Sequence, residues 1–352
     1  VSSAATPGAW SPHAPIREDW LAQDREEVLF AELPIIDAHH HLFGMPGKHY
    51  DNADFLHDIK QHNVVATVFM QCKTNYKSDG EPVFRSIGEI EFARQQRIES
   101  LERGSKTDIC AAIVGHFDLS LGDAVAPVLE AGIVAGGGLL RGVRNIVAWH
   151  DGMRISTSSP LHAGRLADAN FRRGFGHLSR MGLSFDTWLV HPQIPELCDL
   201  AHEYPDTVIV LNHLGGPLRI GPYLGKDDEV FRTWRTNLAE LATCPNVYIK
   251  LGGFGMPLLG FEFHRQPKPP TSLQIADAIR PYTDACIDLF GAQRCMFESN
   301  FPVDKGSFSY TTLWNAFKRL TVGAGQYEIA SLFSWTAANV YKLAGVLEPA
   351  EK

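Results

Sequence analysis

Long apolar runs are missing from this sequence: no stretch approaches the roughly 18 residues needed to span a bilayer, and no basic segment followed by an apolar one opens the chain. The expectation is a cytoplasmic protein without a membrane partner. The first residue is Val1 rather than Met, so the native N-terminus is not read from it. Closely spaced cysteine pairs are missing too. Cys72, Cys110, Cys198, Cys244, Cys286 and Cys295 stand far apart with no CxxC, which suits reduced structural thiols better than a disulfide framework or a zinc knuckle. Positive charge is not in excess: 32 Lys and Arg face 40 Asp and Glu, for a net charge of −8. The basic residues are scattered, so nucleic acid is not an expected partner. No glycine-rich phosphate loop follows the first apolar run. Gly136, Gly137 and Gly138 precede a strand-like segment and read as a turn, which counts against an open nucleotide-binding sheet.

What is present is a chain of 352 residues, 45% hydrophobic, long enough to bury one barrel-sized core. Residues 1–33, with Trp10 and Trp20 among Ser, Pro and Ala, read as an N-terminal arm carrying a short helix around Trp20 to Phe30. From Pro34, short runs rich in Val and Ile recur: Ile35 to Ala38, Val64 to Gln71, Ile109 to Gly115, Gly142 to Ile146, Leu183 to Val190, Val208 to Leu211, Val247 to Leu251, and Cys295 to Ser299. Segments of helical periodicity lie between most of them, including Ile87 to Gly104, Ile194 to Tyr204, Phe231 to Ala242 and Ser272 to Phe290. Strands alternating with helices argue for a parallel sheet with right-handed crossovers, and eight such units favour an α/β fold of the (β/α)8 TIM-barrel type. The expected organisation is an arm to residue 33, a barrel domain from 34 to 345 and a tail from 346 to 352. Long loops after the second and seventh strands, Lys73 to Phe84 and Gly252 to Pro270, read as lids, the latter holding Phe254, Met256, Phe261, Phe263 and His264.

The sharpest local signal is Asp37-Ala38-His39-His40-His41 at the end of the first strand. Strand alternation predicts that Asp37, His39 and His41 share one face while Ala38 and His40 take the other. Two imidazoles would then converge where barrel active sites lie, able to hold a divalent metal or to orient a polar substrate. His191 and His213 follow the fifth and sixth strands and extend the ring; His116 is its weaker member. Arg141, Arg144 and Lys250 supply cations suited to a substrate carboxylate or a developing oxyanion. On the last strand Glu298 and Asn300 share a face, with Asp304 on the loop beyond, and one of these carboxylates is the candidate general base. Gln71 and Trp188 stand at the ends of the second and fifth strands as further substrate contacts.

These landmarks together resemble a known family. Asp37-Ala38-His39-His40-His41 is similar to the first-strand signature of the amidohydrolase superfamily. Ile87-Gly88-Glu89-Ile90-Glu91-Phe92, Arg141-Gly142-Val143-Arg144, Asn212-His213-Leu214-Gly215-Gly216-Pro217, Tyr248-Ile249-Lys250-Leu251 and Ser299-Asn300-Phe301-Pro302 look like the successive landmarks of its amidohydrolase-2 branch. Within that branch they sit nearest the sugar-lactone, sulfomuconolactone and pyrone-dicarboxylate lactonases, from about Pro34 to Leu343. The resemblance implies a distorted barrel, hydrolysis of a lactone or ester, His39, His41 and His213 at the centre and an arginine pair gripping a carboxylate. It departs at Asn300, where the family usually carries Asp: an amide cannot act as a base and is a poor metal ligand. A zinc-type divalent site on His39, His41 and His191, or a metal-free site with Glu298 or Asp304 as base, are both open on this reading. The rival enzyme is a metal-dependent non-oxidative decarboxylase of an aromatic acid; the rival of another class is a non-catalytic small-molecule-binding barrel. A homodimer is the default expectation for an enzyme of this size.

Overall fold

The computed structural model describes residues 13–45, 47–156, 162–343 and 345–347; Trp10 lies outside them. The strands in chain order are β1 (Ile35–His40), β2 (Phe43–Met45), β3 (Lys48–Tyr50), β4 (Val64–Met70), β5 (Asp108–Gly115), β6 (Leu140–Ile146), β7 (Ser184–Trp188), β8 (Ile209–Leu211), β9 (Val247–Leu251) and β10 (Cys295–Phe297). The α-helices are α1 (Glu18–Leu21), α2 (Asn52–Ile59), α3 (Ile87–Glu102), α4 (Ala126–Gly136), α5 (Ala169–Phe175) and α6 (His177–Arg180), then α7 (Ile194–Glu203), α8 (Asp227–Leu241), α9 (Ser272–Phe290), α10 (Tyr310–Leu320), α11 (Gln326–Ala330) and α12 (Thr336–Val340).

Eight strands form one parallel sheet in the order β1-β4-β5-β6-β7-β8-β9-β10, and each of the eight apolar runs supplies one of them. The seam between β1 and β10 closes beyond the last strand: the Asn300 N–H donates to His39 O at 2.9 Å and the His41 N–H to Phe301 O at 2.7 Å. Helices cover the outside, giving a (β/α)8 barrel. Ile36, Ala38, Val68, Met70, Val114, Val210 and Met296 meet in an inner cluster that Val340 and Tyr341 close from below. The outward strand residues and the helices form the larger core. The β2–β3 hairpin was not legible, because its short strands contain Gly, His and Lys instead of an apolar alternation.

Two expectations about the periphery change. The arm helix is only Glu18–Leu21, and the chain to Phe30 continues without helix. The arm is nevertheless anchored: Trp20 Nε1 donates to Gln266 O at 3.1 Å, and the amide of Asn315 holds Glu26 and Glu27. The stretch Leu119–Gly136 is helical, long and apolar enough by composition to cross a membrane, contrary to the reading of the sequence. Its backbone breaks at Gly122 (φ 60°, ψ −137°), and Val125, Val128 and Leu129 are buried in the core.

Candidate active site

The first strand does not alternate as expected. Asp37 pairs with Thr67 but His40 pairs with Phe69, so three steps on β1 face two on β4, and this bulge resets which face each side chain takes. Asp37 therefore leaves the histidine face. Its Oδ2 accepts from Tyr310 on the outer helix α10 and its Oδ1 from the Ser299 N–H, while burial raises its carboxyl to about 6. Ala38 joins the inner cluster, and His40 packs outward, stacked on Phe55 and bonded to Thr67. The bulge is what lets His39 and His41 both look into the barrel.

Each of three imidazoles is fixed by its Nδ1. His41 Nδ1 is 2.8 Å from Met70 O, and His213 Nδ1 is 2.6 Å from Glu298 Oε1. His39 Nδ1 lies 2.7 Å from Glu298 Oε2, an electrostatic contact more than an aligned hydrogen bond. Carbonyls and carboxylates only accept, so these Nδ1 atoms carry the protons and the Nε2 atoms present lone pairs. His39 and His41 are held well below the ordinary imidazole range, first by burial, then by the Lys250 charge for His39 and the Arg144 charge for His41. Both are neutral bases at physiological pH.

Local backbone chemistry makes this layout reachable. Gly252 and Gly253 follow β9, where a Cβ would fall 2.2 Å from Glu298 Cγ and 2.7 Å from His213 Cγ respectively. His213 and Asn300 are themselves left-handed, with φ of 52° and 54°. Such residues cost about 1–3 kcal/mol each and concentrate at functional sites.

Three lone-pair atoms then converge. His39 Nε2 and His41 Nε2 are 3.2 Å apart, and Asn300 Oδ1 is 3.3 Å from His41 Nε2. The Asn300 amide is oriented by Nδ2 donating to Asp304 Oδ1 at 2.8 Å, so its oxygen faces the imidazoles. Facing acceptors repel unless a proton or a cation lies between them; the two imidazole nitrogens are good donors for a divalent ion, and the Asn300 amide oxygen is a weaker third donor than a carboxylate. Buried His39, His213 and Glu298 also form a metal-capable cluster.

A cavity of about 110 Å³ opens above this layer, lined by polar His41, Gln71, Arg144, Trp188, His213 and Asn300 and by apolar Phe43, Ile146, Met256 and Val303. His13 of the arm and Ser156 also reach it, and neither stands out in the sequence. Arg144 Nη1 donates to His39 Nε2 at 3.2 Å and Nη2 to Gln71 O. Gln71 Oε1 and Trp188 Nε1 are buried without a partner, so the cavity wall carries unsatisfied hydrogen-bonding capacity.

Other expected site residues lie elsewhere. Glu298 sits behind His39 and His213, and Asp304 sits behind Asn300, accepting the Gly255 N–H with burial raising its carboxyl to about 8. Neither lines the cavity. Lys250 is buried below the mouth, 2.9 Å from Asp186, which also accepts from Asn212 and Tyr341; it is not free to hold substrate. Arg141 is absent from the lining, and it stands at a break in the β5–β6 register, between Leu140 and Gly142. His191 accepts the Leu218 N–H on Nδ1 and packs on Tyr223, with its pKa lowered by burial to about 4; it does not join His39 and His41. His116 meets Arg144 O from the side. Phe254 and Phe263 of the long loop after β9 turn into the core, and of the apolar side chains picked out there only Met256 reaches the cavity. A larger cavity of about 450 Å³ under the arm brings together Glu18, Asp58 and Lys305, but these ion-pair with one another and offer no convergent catalytic set.

A family profile described as amidohydrolase matches residues 101–343. The chain is 31% identical to protein y4mH of Sinorhizobium fredii over 336 residues, 89% of this chain and 100% of that one. It is 29% identical to an L-fucono-1,5-lactonase of Burkholderia multivorans over 185 residues, 52% of this chain and 58% of the relative. A crystal structure of an amidohydrolase from Burkholderia multivorans with bound zinc superposes with a TM-score of 0.64 at 25% identity, covering 88% of this chain and 99% of that one.

Proposed function

The chain belongs to the amidohydrolase family, and from that premise we propose that it opens a hydroxylated lactone by attack of an activated water on the ring ester. The observation that carries this reading is the Glu298–His213 contact beside a cavity whose wall carries unpaired Gln71 Oε1, Trp188 Nε1 and Arg144 Nε. With Nδ1 donating to Glu298, His213 Nε2 is the basic nitrogen at the cavity and takes the proton from the attacking water. The Arg144 guanidinium faces the oxyanion that develops on the carbonyl. Trp188 Nε1 donates to, and Gln71 Oε1 accepts from, substrate hydroxyls. The proton held on His213 then passes to the ring oxygen as the C–O bond breaks, leaving the hydroxy acid.

A divalent ion, zinc in our reading, would be held by His39, His41 and Asn300 and would polarise the ester carbonyl as a Lewis acid. The zinc-bound relative supports that choice of ion. Of the three cations first considered for a substrate carboxylate, Arg144 alone lines the cavity, and both of its Nη atoms are already engaged, with His39 and Gln71, so no two-nitrogen fork is free. A polyol lactone therefore fits better than a carboxylate-bearing one, in keeping with relatives named L-fucono-1,5-lactonase and L-rhamnono-gamma-lactonase.

The test compares kcat/KM for neutral aldonolactones and a pyrone dicarboxylate, with Trp188→Phe as partner. Preference for the aldonolactones, with a loss of about three- to tenfold in Trp188→Phe from one missing hydrogen bond, is expected. Preference for the dicarboxylate, or release of carbon dioxide from an aromatic acid without lactone hydrolysis, would overturn the reading.

A further inference from the structure

We propose that Cys198, His202 and Cys244 form a second metal site, for a borderline divalent cation such as zinc, at the end of the barrel opposite the mouth. Cys198 and His202 are four residues apart on α7, so they share one helix face. Cys244 lies in the turn between α8 and β9, three residues before β9 begins; the active site is at the other end of the strands. The ligand atoms all lie within 4.8 Å of one another, and Cys198 Sγ is 3.8 Å from His202 Nδ1. Tetrahedral zinc with its usual sulfur and nitrogen bond lengths needs an S···N edge of about 3.6 Å, so the Cys198–His202 edge is already within a few tenths of an ångström of it.

The surroundings are organised for such an ion. The Cys244 turn is held by Arg294, whose Nη1 donates to Cys244 O and Nη2 to Ala242 O, each at 3.0 Å. Both thiols are buried while His202 is exposed, so the ion would have one open approach from solvent. Binding releases one proton from each thiol as the two sulfur–metal bonds form, and a water or the Glu240 carboxylate completes four-coordination. The ion would tie α7 to the turn that starts β9.

The test is a cobalt(II) titration of the chelator-treated full chain under a thiol-free reductant, following thiolate-to-cobalt charge transfer. Cys72 also lines the mouth cavity, and a Cys72→Ser background removes that thiol. One equivalent should give the thiolate band in this background and also with His41→Ala added. The band should vanish in Cys198→Ala and Cys244→Ala, and exposed His202→Ala, which leaves the fold untouched, should weaken cobalt binding about tenfold or more. Zinc should displace the cobalt and raise the melting temperature of the parent but not of Cys244→Ala. Absence of a thiolate band at one equivalent, its survival in Cys244→Ala, or unchanged affinity in His202→Ala would overturn the proposal.

Discussion

Glu298 Oε1 lies 2.6 Å from His213 Nδ1, and that contact determines which nitrogen of the imidazole is basic. Glu298→Gln keeps the shape but offers an amide in place of an acceptor-only carboxylate, so the tautomer is no longer enforced. We expect turnover to fall by roughly 10²–10⁴-fold with little change in the circular dichroism spectrum. Full activity in the variant would show that His213 is not the base.

Lys250 and Asp186 are both fully buried, 2.9 Å apart. Removing one partner strands the other charge in the barrel, so Lys250→Met should lose about 3–5 kcal/mol in denaturant unfolding. The double variant Lys250→Met/Asp186→Leu should recover a substantial part of that loss. A double variant no more stable than the single one would mean that the pair is not coupled in this way.

Stability at acid pH should report on His62. Burial, then the Lys318 charge 3.0 Å away, lowers its pKa from 6.5 to about 3. The unfolded chain protonates this imidazole below 6.5 while the folded chain does not, so the stability it contributes is fully present above 6.5 and is lost as pH falls towards 3. His62→Gln should remove up to one proton from the slope of unfolding free energy against pH between 6 and 4, about 1.4 kcal/mol per pH unit at most. An unchanged slope would place the proton uptake elsewhere.

How far the sequence foretold this molecule depended on what kind of signal each residue left. The eight barrel strands were legible because buried parallel strands are continuous apolar runs, and α9 was legible from its helical periodicity over Ser272 to Phe290. His39, His41 and His213 were legible because histidines at strand ends have few other reasons to cluster. The facing of Asp37 was misread because a bulge leaves no mark in an alternation pattern. Lys250 was misplaced for a different reason: Asp186 and Tyr341, the partners beside it, lie 64 and 91 residues away in sequence. The true depth of Glu298 rests on the absence of a side chain at Gly252, which becomes meaningful only once β9 and β10 are neighbours.

The measurement that bears most directly on the account is the steady-state hydrolysis of a hydroxylated six-membered lactone, followed by proton release, for the wild-type chain and for His213→Ala. The account predicts saturable turnover by the wild type and a loss of about 10²–10⁴-fold in kcat for the variant at unchanged melting temperature. Equal turnover by both, with the fold intact, would contradict it.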